Sequence, residues 1–146
     1  MLLELHIQNL AIFDEVRQTL GSGLNVLTGE TGAGKSLLAG ALTLLLGERG
    51  DPGQIRTGED VATIEALFDI EHRPETRALL TELGLEDDEE IVLRRVLRRG
   101  SRGSASVNGS LVPVAQLARI AESLISIVGQ HSHQRLLRPS HHLALL

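Results

Sequence analysis

The chain has 146 residues, 42% hydrophobic and 23% charged, a balance that suits a globular fold with a buried core and excludes a disordered one. It has no cysteine, which excludes a disulfide framework, thiol catalysis and cysteine-ligated zinc. Fourteen basic against nineteen acidic residues leave a net charge of −5, so the chain as a whole is no electrostatic magnet for nucleic acid.

Phe13 and Phe68 are the only aromatic side chains of the Phe, Tyr and Trp class, so stacking on rings cannot be the main way of holding a base. Apolar runs are too short to span a bilayer and no secretory signal pattern stands at the start. A cytoplasmic protein without membrane contact is expected.

Residues 2–8 alternate Leu3, Leu5 and Ile7 against Glu4, His6 and Gln8, the period of a strand with one apolar face. Residues 13–20 alternate less cleanly and end at the turn signal Gly21-Ser22-Gly23. The apolar run 24–27 is expected to be a short buried strand. Residues 35–46 are rich in Leu and Ala, apolar nearly all round, and predict a buried helix closed by Gly47. A glycine-rich loop follows over 48–60, then a strand over 61–70. Pro74 and Gly84 bracket a short helix.

Residues 86–90 form an acidic, solvated turn. Over 91–99 periodicity favours an amphipathic helix, with Arg94, Arg95, Arg98, Arg99 and Arg102 opposite Val92, Leu93, Val96 and Leu97. The punctuation around 104–107, with Asn108-Gly109 after it, is that of a hairpin instead. A helix is expected over 113–124, a short buried strand over 125–128, and the start of a helix over 139–146.

The segment Gly29-Glu30-Thr31-Gly32-Ala33-Gly34-Lys35-Ser36 matches GxxxxGK[ST] in full. Glycines let several backbone N–H groups converge on one centre, which suits phosphate oxygens. The helix that begins here adds the positive end of its dipole. Lys35, the only lysine of the chain, can reach the β- and γ-phosphates, and the Ser36 hydroxyl can ligate Mg²⁺. At average composition the four fixed positions coincide rarely by chance. The motif predicts a nucleoside triphosphate site.

Hydrolysis needs further groups: an acid for Mg²⁺ and a residue that orients the attacking water. Ala66-Leu67-Phe68-Asp69 mimics the Walker B pattern, and with Asp69 in that role the chain would be a self-contained small kinase or GTPase. The other reading of Asp69 is a solvated acid at the end of an antiparallel strand, because Glu65 spoils the two-sided apolar character of a buried parallel strand. Gln130 follows the apolar run 125–128 and is either a ligand near Mg²⁺ and the γ-phosphate or a surface glutamine. His131, His133, His141 and His142 crowd the same stretch, but no zinc spacing emerges. The arginines between 94 and 102 are either a DNA contact or a solvated strand face balanced by the acidic run. A third possibility is a structural module whose phosphate loop binds nothing.

The opening Leu5-His6-Ile7-Gln8-Asn9-Leu10-Ala11-Ile12, the lead Gly23 to Thr28 into the phosphate loop, Ile55-Arg56-Thr57-Gly58, Leu93-Arg94-Arg95-Val96 with Ser106-Val107-Asn108-Gly109, and Gly129-Gln130-His131-Ser132-His133-Gln134 together resemble the RecN family of bacterial DNA repair proteins, which groups with the SMC-like ATPases. The resemblance covers essentially the whole chain.

It implies an α/β fold of the P-loop NTPase type, an ABC/SMC-type head, with 1–146 as its N-terminal lobe and a mixed and antiparallel sheet around the P-loop helix. The coiled coil, the C-terminal lobe, the signature motif and the true Walker B acid would lie outside this chain. The implied activity is ATP hydrolysis by the full-length protein in repair of DNA double-strand breaks and recombination, the lobe alone being inactive or very weak. ATP and Mg²⁺ are the implied cofactors. Gly29 to Ser36 with Leu37 would hold ATP, Ser36 and Gln130 would serve Mg²⁺, and Lys35 and Gln130 would be catalytic.

The resemblance places Arg56, with Arg49 as rival, in a loop near the nucleotide. It makes 91–99 a strand of a hairpin, against the helical count. The implied partners are DNA, the chain's own C-terminal lobe and coiled coil, and a second head in an ATP-sandwiched homodimer, with a nucleoid-associated location.

Overall fold

The computed structural model describes residues 1–28 and 32–128. Six strands form one sheet: β1 (Leu2–Leu10), β2 (Phe13–Thr19), β3 (Val61–Asp69), β4 (Glu90–Arg98), β5 (Ser104–Val107) and β6 (Ser110–Val112). Their order across the sheet is β2-β1-β3-β4-β5-β6 and every described pairing is antiparallel. Among the described residues three α-helices accompany the sheet: α1 (Gly32–Leu45), α2 (Pro74–Glu82) and α3 (Val114–Leu124).

Register explains which side faces inward. Ile7, Ile64, Arg95 and Ala105 stand in one row across four strands, and Leu5, Ala66, Leu93 and Val107 in the next. All eight are buried, and apart from Arg95 they join Ala41, Leu44 and Leu45 of α1 and Leu117, Ile120 and Ala121 of α3 in a single core. The intervening row is His6, Glu65, Arg94 and Ser106. It lies on the other face, where Arg94 pairs with Glu65 at 3.1 Å and His6 with Glu15 at 2.8 Å. The strand period of two thus separates core from polar face.

The helix stops follow the glycines. Gly47 has φ 90°, its N–H donates to the Leu44 carbonyl and the Glu48 N–H to that of Thr43, the two bonds of a Schellman end. Gly84 (φ 71°) repeats the pattern through Thr81 and Leu80. Asn108 and Gly109, both at positive φ, make the two-residue turn between β5 and β6.

Over 91–99 the strand implied by the resemblance forms and the helical count fails: β4 covers Glu90–Arg98, paired on both sides. The arginine spacing that mimics a helix arises because Arg94 and Arg95 point to opposite faces, one polar and one interior. Two expectations need correction. The buried strands expected over 24–27 and 125–128 do not form. Leu24 is 90% exposed, Val26 71% and Val128 87%, and only Ile125 is buried. An apolar run becomes a buried strand only where neighbours supply hydrogen bonds and cover, and no described strand lies beside either run. The expected helix start over 139–146 falls outside the described residues.

Gly47 is demanding on two counts: its positive φ, and a close approach in which an added Cβ would meet the Ala118 Cβ at 2.7 Å. Gly58 has the same φ with open space around it. Gly47→Ala is therefore expected to destabilise by about 2–4 kcal/mol, the sum of backbone strain and overpacking, and Gly58→Ala by only about 1–2 kcal/mol. Urea unfolding of the two variants measures the difference.

Candidate nucleotide-binding site

The described part of the phosphate-loop motif is the first turn of α1. Gly32, Ala33 and Gly34 are its first three residues, and the N–H groups at these positions have no acceptor within the helix. No acidic residue stands in this turn, which leaves the positive end of the dipole without a carboxylate from the turn itself. Lys35 and Ser36 are exposed and Leu37 is half-buried. Among the described residues Lys35 has no ion-pair partner within 4.0 Å.

Burial along α1 is graded, not uniform as its composition suggests. Its second half is locked in place by Ala41, Leu44 and Leu45, whereas Ala39 is exposed and Leu38 only half-buried. The helix is held by its far end and presents its mouth. An added Cβ at Gly34 would meet no described atom within 4 Å. Packing therefore does not explain a glycine where alanine would give a stabler helix.

The donor set of amides, an ammonium and a hydroxyl fits a polyphosphate. For Mg²⁺ the described residues offer the Ser36 hydroxyl, and they hold no group of three or more His, Asp or Glu able to take a metal ion.

Other candidates disperse. Asp69 ends β3, between the antiparallel neighbours β1 and β4, and its Oδ1 accepts the Glu71 N–H at 2.9 Å. A Walker B acid sits on a parallel strand beside the phosphate-loop strand, so the antiparallel setting removes Asp69 from that role. Arg56 pairs with Asp14 at 3.0 Å, and its N–H donates to the Asn9 carbonyl at 2.8 Å. Arg49 is exposed. Gly29, Glu30 and Thr31 lie outside the described residues, as do Gln130 and the four late histidines.

The arginine group divides four ways. Arg94 faces Glu65; Arg95 is buried; Arg99 donates to the carbonyls of Glu59 and Ile55; Arg98 and Arg102 are exposed. The acidic run does not balance them in the described ion pairs, because its Asp87 is taken by Arg77 of α2 at 2.7 Å. The inward turn of Arg95 was missed by spacing counts. Its only signal in the sequence is a charged residue where Ile91, Leu93 and Leu97 mark the interior.

A family model described as an AAA domain matches residues 4–135. DNA repair protein RecN of Halalkalibacterium halodurans is 45% identical over 147 residues, covering 100% of this chain and 26% of that protein. RecN of Bacillus subtilis is 43% identical with the same coverage. The chain thus spans about a quarter of the length of the curated relatives it matches. Among solved structures, an SMC head domain from Thermotoga maritima has a TM-score of 0.67 at 23% identity, covering 92% of this chain and 49% of that one. A chain from work on ATP-driven dimerisation of SMC ATPases reaches 0.70 at 20%, covering 99% and 96%. A RecF chain studied with ATP reaches 0.65 at 15%, covering 99% and 37%. The fold is that of these heads.

Gly34→Ala separates folding from binding. The variant is expected to be more stable by about 0.5–1 kcal/mol, the usual helix-interior gain, while losing affinity for ATP, since the added methyl occupies space at the mouth of α1. Thermal unfolding with and without ATP-Mg reads both effects.

Proposed function

From a chain that belongs to the AAA domain family and is similar to RecN proteins over its whole length, we propose the ATP-binding lobe of an SMC-like DNA repair ATPase. The observation that carries this reading is the open first turn of α1, where the amides of Gly32, Ala33 and Gly34 lack helical acceptors and Lys35 has no ion-pair partner among the described residues. The amides of Gly32 to Gly34 would hold phosphate oxygens, and Gly29, Glu30 and Thr31 are proposed as further ATP-binding residues. The Lys35 ammonium would serve the β- and γ-phosphates. The Ser36 hydroxyl would hold Mg²⁺, which when bound would supply charge neutralisation at the phosphoryl group.

Gln130 is proposed for the water and Mg²⁺ near the γ-phosphate, and Arg56 for the nucleotide's rim, where it would exchange Asp14 for phosphate. Leu37 closes the apolar side of the pocket.

Hydrolysis needs an acid that the described residues do not place on a parallel strand, so the reading assigns it to a C-terminal lobe outside this chain. The exposed run 24–27 and the exposed Val128 support that assignment. They carry Leu24, Val26, Leu27 and Val128 as exposed large apolar side chains, the composition of sheet strands awaiting neighbours. The first half of α1 would be covered by the same partner. A coiled coil, head-to-head pairing around ATP, action on broken DNA and a nucleoid-associated location belong to the whole protein under this reading. No described helix is long and apolar enough to cross a membrane.

Calorimetric titration of the chain with ATP-Mg tests the reading. Binding is expected, with Lys35→Ala weakening it by about ten- to a hundredfold, the loss of a charge-assisted contact worth about 1.5–3 kcal/mol. Turnover is expected near background. Turnover at about 1–100 s⁻¹, the kinase range, would favour a self-contained enzyme instead.

A further inference from the structure

A second basic site lies away from the phosphate-loop motif, on the far side of α1. A pocket of about 520 Å³ opens between the loop after α1, the β4–β5 turn and the start of α3, within the roughly 300–1,000 Å³ of small-ligand sites. Arg49, Arg95, Arg98 and Arg102 line it, and no acidic side chain does. Its walls come close because they carry glycine. An added Cβ at Gly50 would meet Leu97 Cδ2 at 2.2 Å, and one at Gly103 the Val96 carbonyl oxygen at 2.3 Å. Val114, the first residue of α3, also lines the pocket, and no side chain caps that helix.

Arg95 is the telling member. It is only 8% exposed and stands on the core face of β4. One of its nitrogens, Nη1, donates to the Leu44 carbonyl at 3.3 Å, and its buried Nε has no hydrogen-bond partner among the described residues. Among the described residues no carboxylate lies within ion-pair distance of it. Burial draws its pKa below the usual arginine range, and no neighbouring charge acts in the other direction. A buried guanidinium without a counter-ion is costly, since its desolvation is repaid only by a charged partner. Arg49, Arg98 and Arg102 are exposed around it and likewise have no ion-pair partner among the described residues.

We propose that this pocket binds a phosphate group, which supplies the anion that Arg95 lacks. Arg95 forms the floor, the guanidinium forks of Arg98 and Arg102 close over the oxygens from the β4–β5 turn, and Arg49 approaches from the loop after α1. Arginine suits the task because its planar donors match phosphate oxygens in pairs. The positive end of α3 adds to the field. The phosphate can come from a nucleic-acid backbone or from a free small phosphate. The site does not depend on the phosphate-loop reading.

The test uses the Lys35→Ala chain, in which binding at the mouth of α1 is weakened, and the response assigned to this pocket is the part that the arginine substitutions remove. Inorganic phosphate and pyrophosphate are titrated at constant ionic strength while thermal unfolding is followed, with chloride as control. Stabilisation is expected to grow with the logarithm of phosphate concentration. Adding Arg98→Ala with Arg102→Ala, both at the surface, is expected to abolish that rise. Arg95→Met is expected to abolish it too, while the phosphate-free unfolding temperature stays equal or increases.

A duplex-DNA arm separates the sources. If the backbone is the ligand, the Arg98→Ala/Arg102→Ala pair lowers the slope of log affinity against log salt by about two, at about 0.9 per phosphate contact. If the ligand is a free phosphate, the phosphate response is present and the DNA slope is unaltered. The proposal is overturned if phosphate stabilises no more than chloride while the DNA slope is unchanged, or if the surface double variant keeps the full phosphate response. Failure of ATP to bind the parent chain would touch only the other site.

Discussion

The burial of Ala41, Leu44 and Leu45 between the sheet and α3 is the interaction on which the arrangement depends. Each leucine contributes about 1.5–3 kcal/mol by leaving water. Together they fix the axis of α1 from its C-terminal half. Gly47 makes this seating possible, because the chain must turn sharply where it nearly touches Ala118. With one end anchored, the other is aimed, and the amides of Gly32 to Gly34 are held as a group without any need for local packing around them. A helix mouth of this kind is ready for an anion before the anion arrives.

Much of the fold was legible in the sequence. Leu3, Leu5 and Ile7 set the period of β1, and Ile64, Ala66 and Phe68 that of β3. Pro74 with Gly84 bounded α2, and Asn108-Gly109 announced the last hairpin. These features are local: each depends on backbone preferences or alternation within a few residues. What was not legible depends on partners distant in the chain. Residues 24–27 and 125–128 have the composition of buried strands, yet their state is decided by whether neighbouring strands are present. β4 looked helical because Arg95 occupies an interior position. A count of charged spacing cannot tell a solvated arginine from one turned inward.

The site divides in the same way. The motif from Gly29 to Ser36 announced its chemistry by residue type alone, because amide convergence, an ammonium and a hydroxyl are what a triphosphate requires. Asp69 illustrates the opposite case: four apolar residues and an acid are too short a pattern to specify a parallel strand, and register assigns it to an antiparallel one. The arginines are intermediate. Their abundance was plain from the sequence, but only the fold shows that Arg94 meets a carboxylate, that Arg99 meets carbonyls, and that Arg95 has no ion-pair partner among the described residues. A chain with a net charge of −5 can thus concentrate positive charge at two places, the mouth of α1 and the pocket beside the β4–β5 turn.

Amide hydrogen exchange along α1 tests the central claim most directly. Without nucleotide, the N–H groups of residues 41–45 should exchange slowly, while those of 32–34, lacking helical acceptors, should exchange fast. Adding ATP-Mg should slow 32–34 specifically. Exchange at 32–34 that is already slow without ligand, or that ATP-Mg leaves unchanged at saturating concentration, would contradict an amide cradle held open at the mouth of this helix.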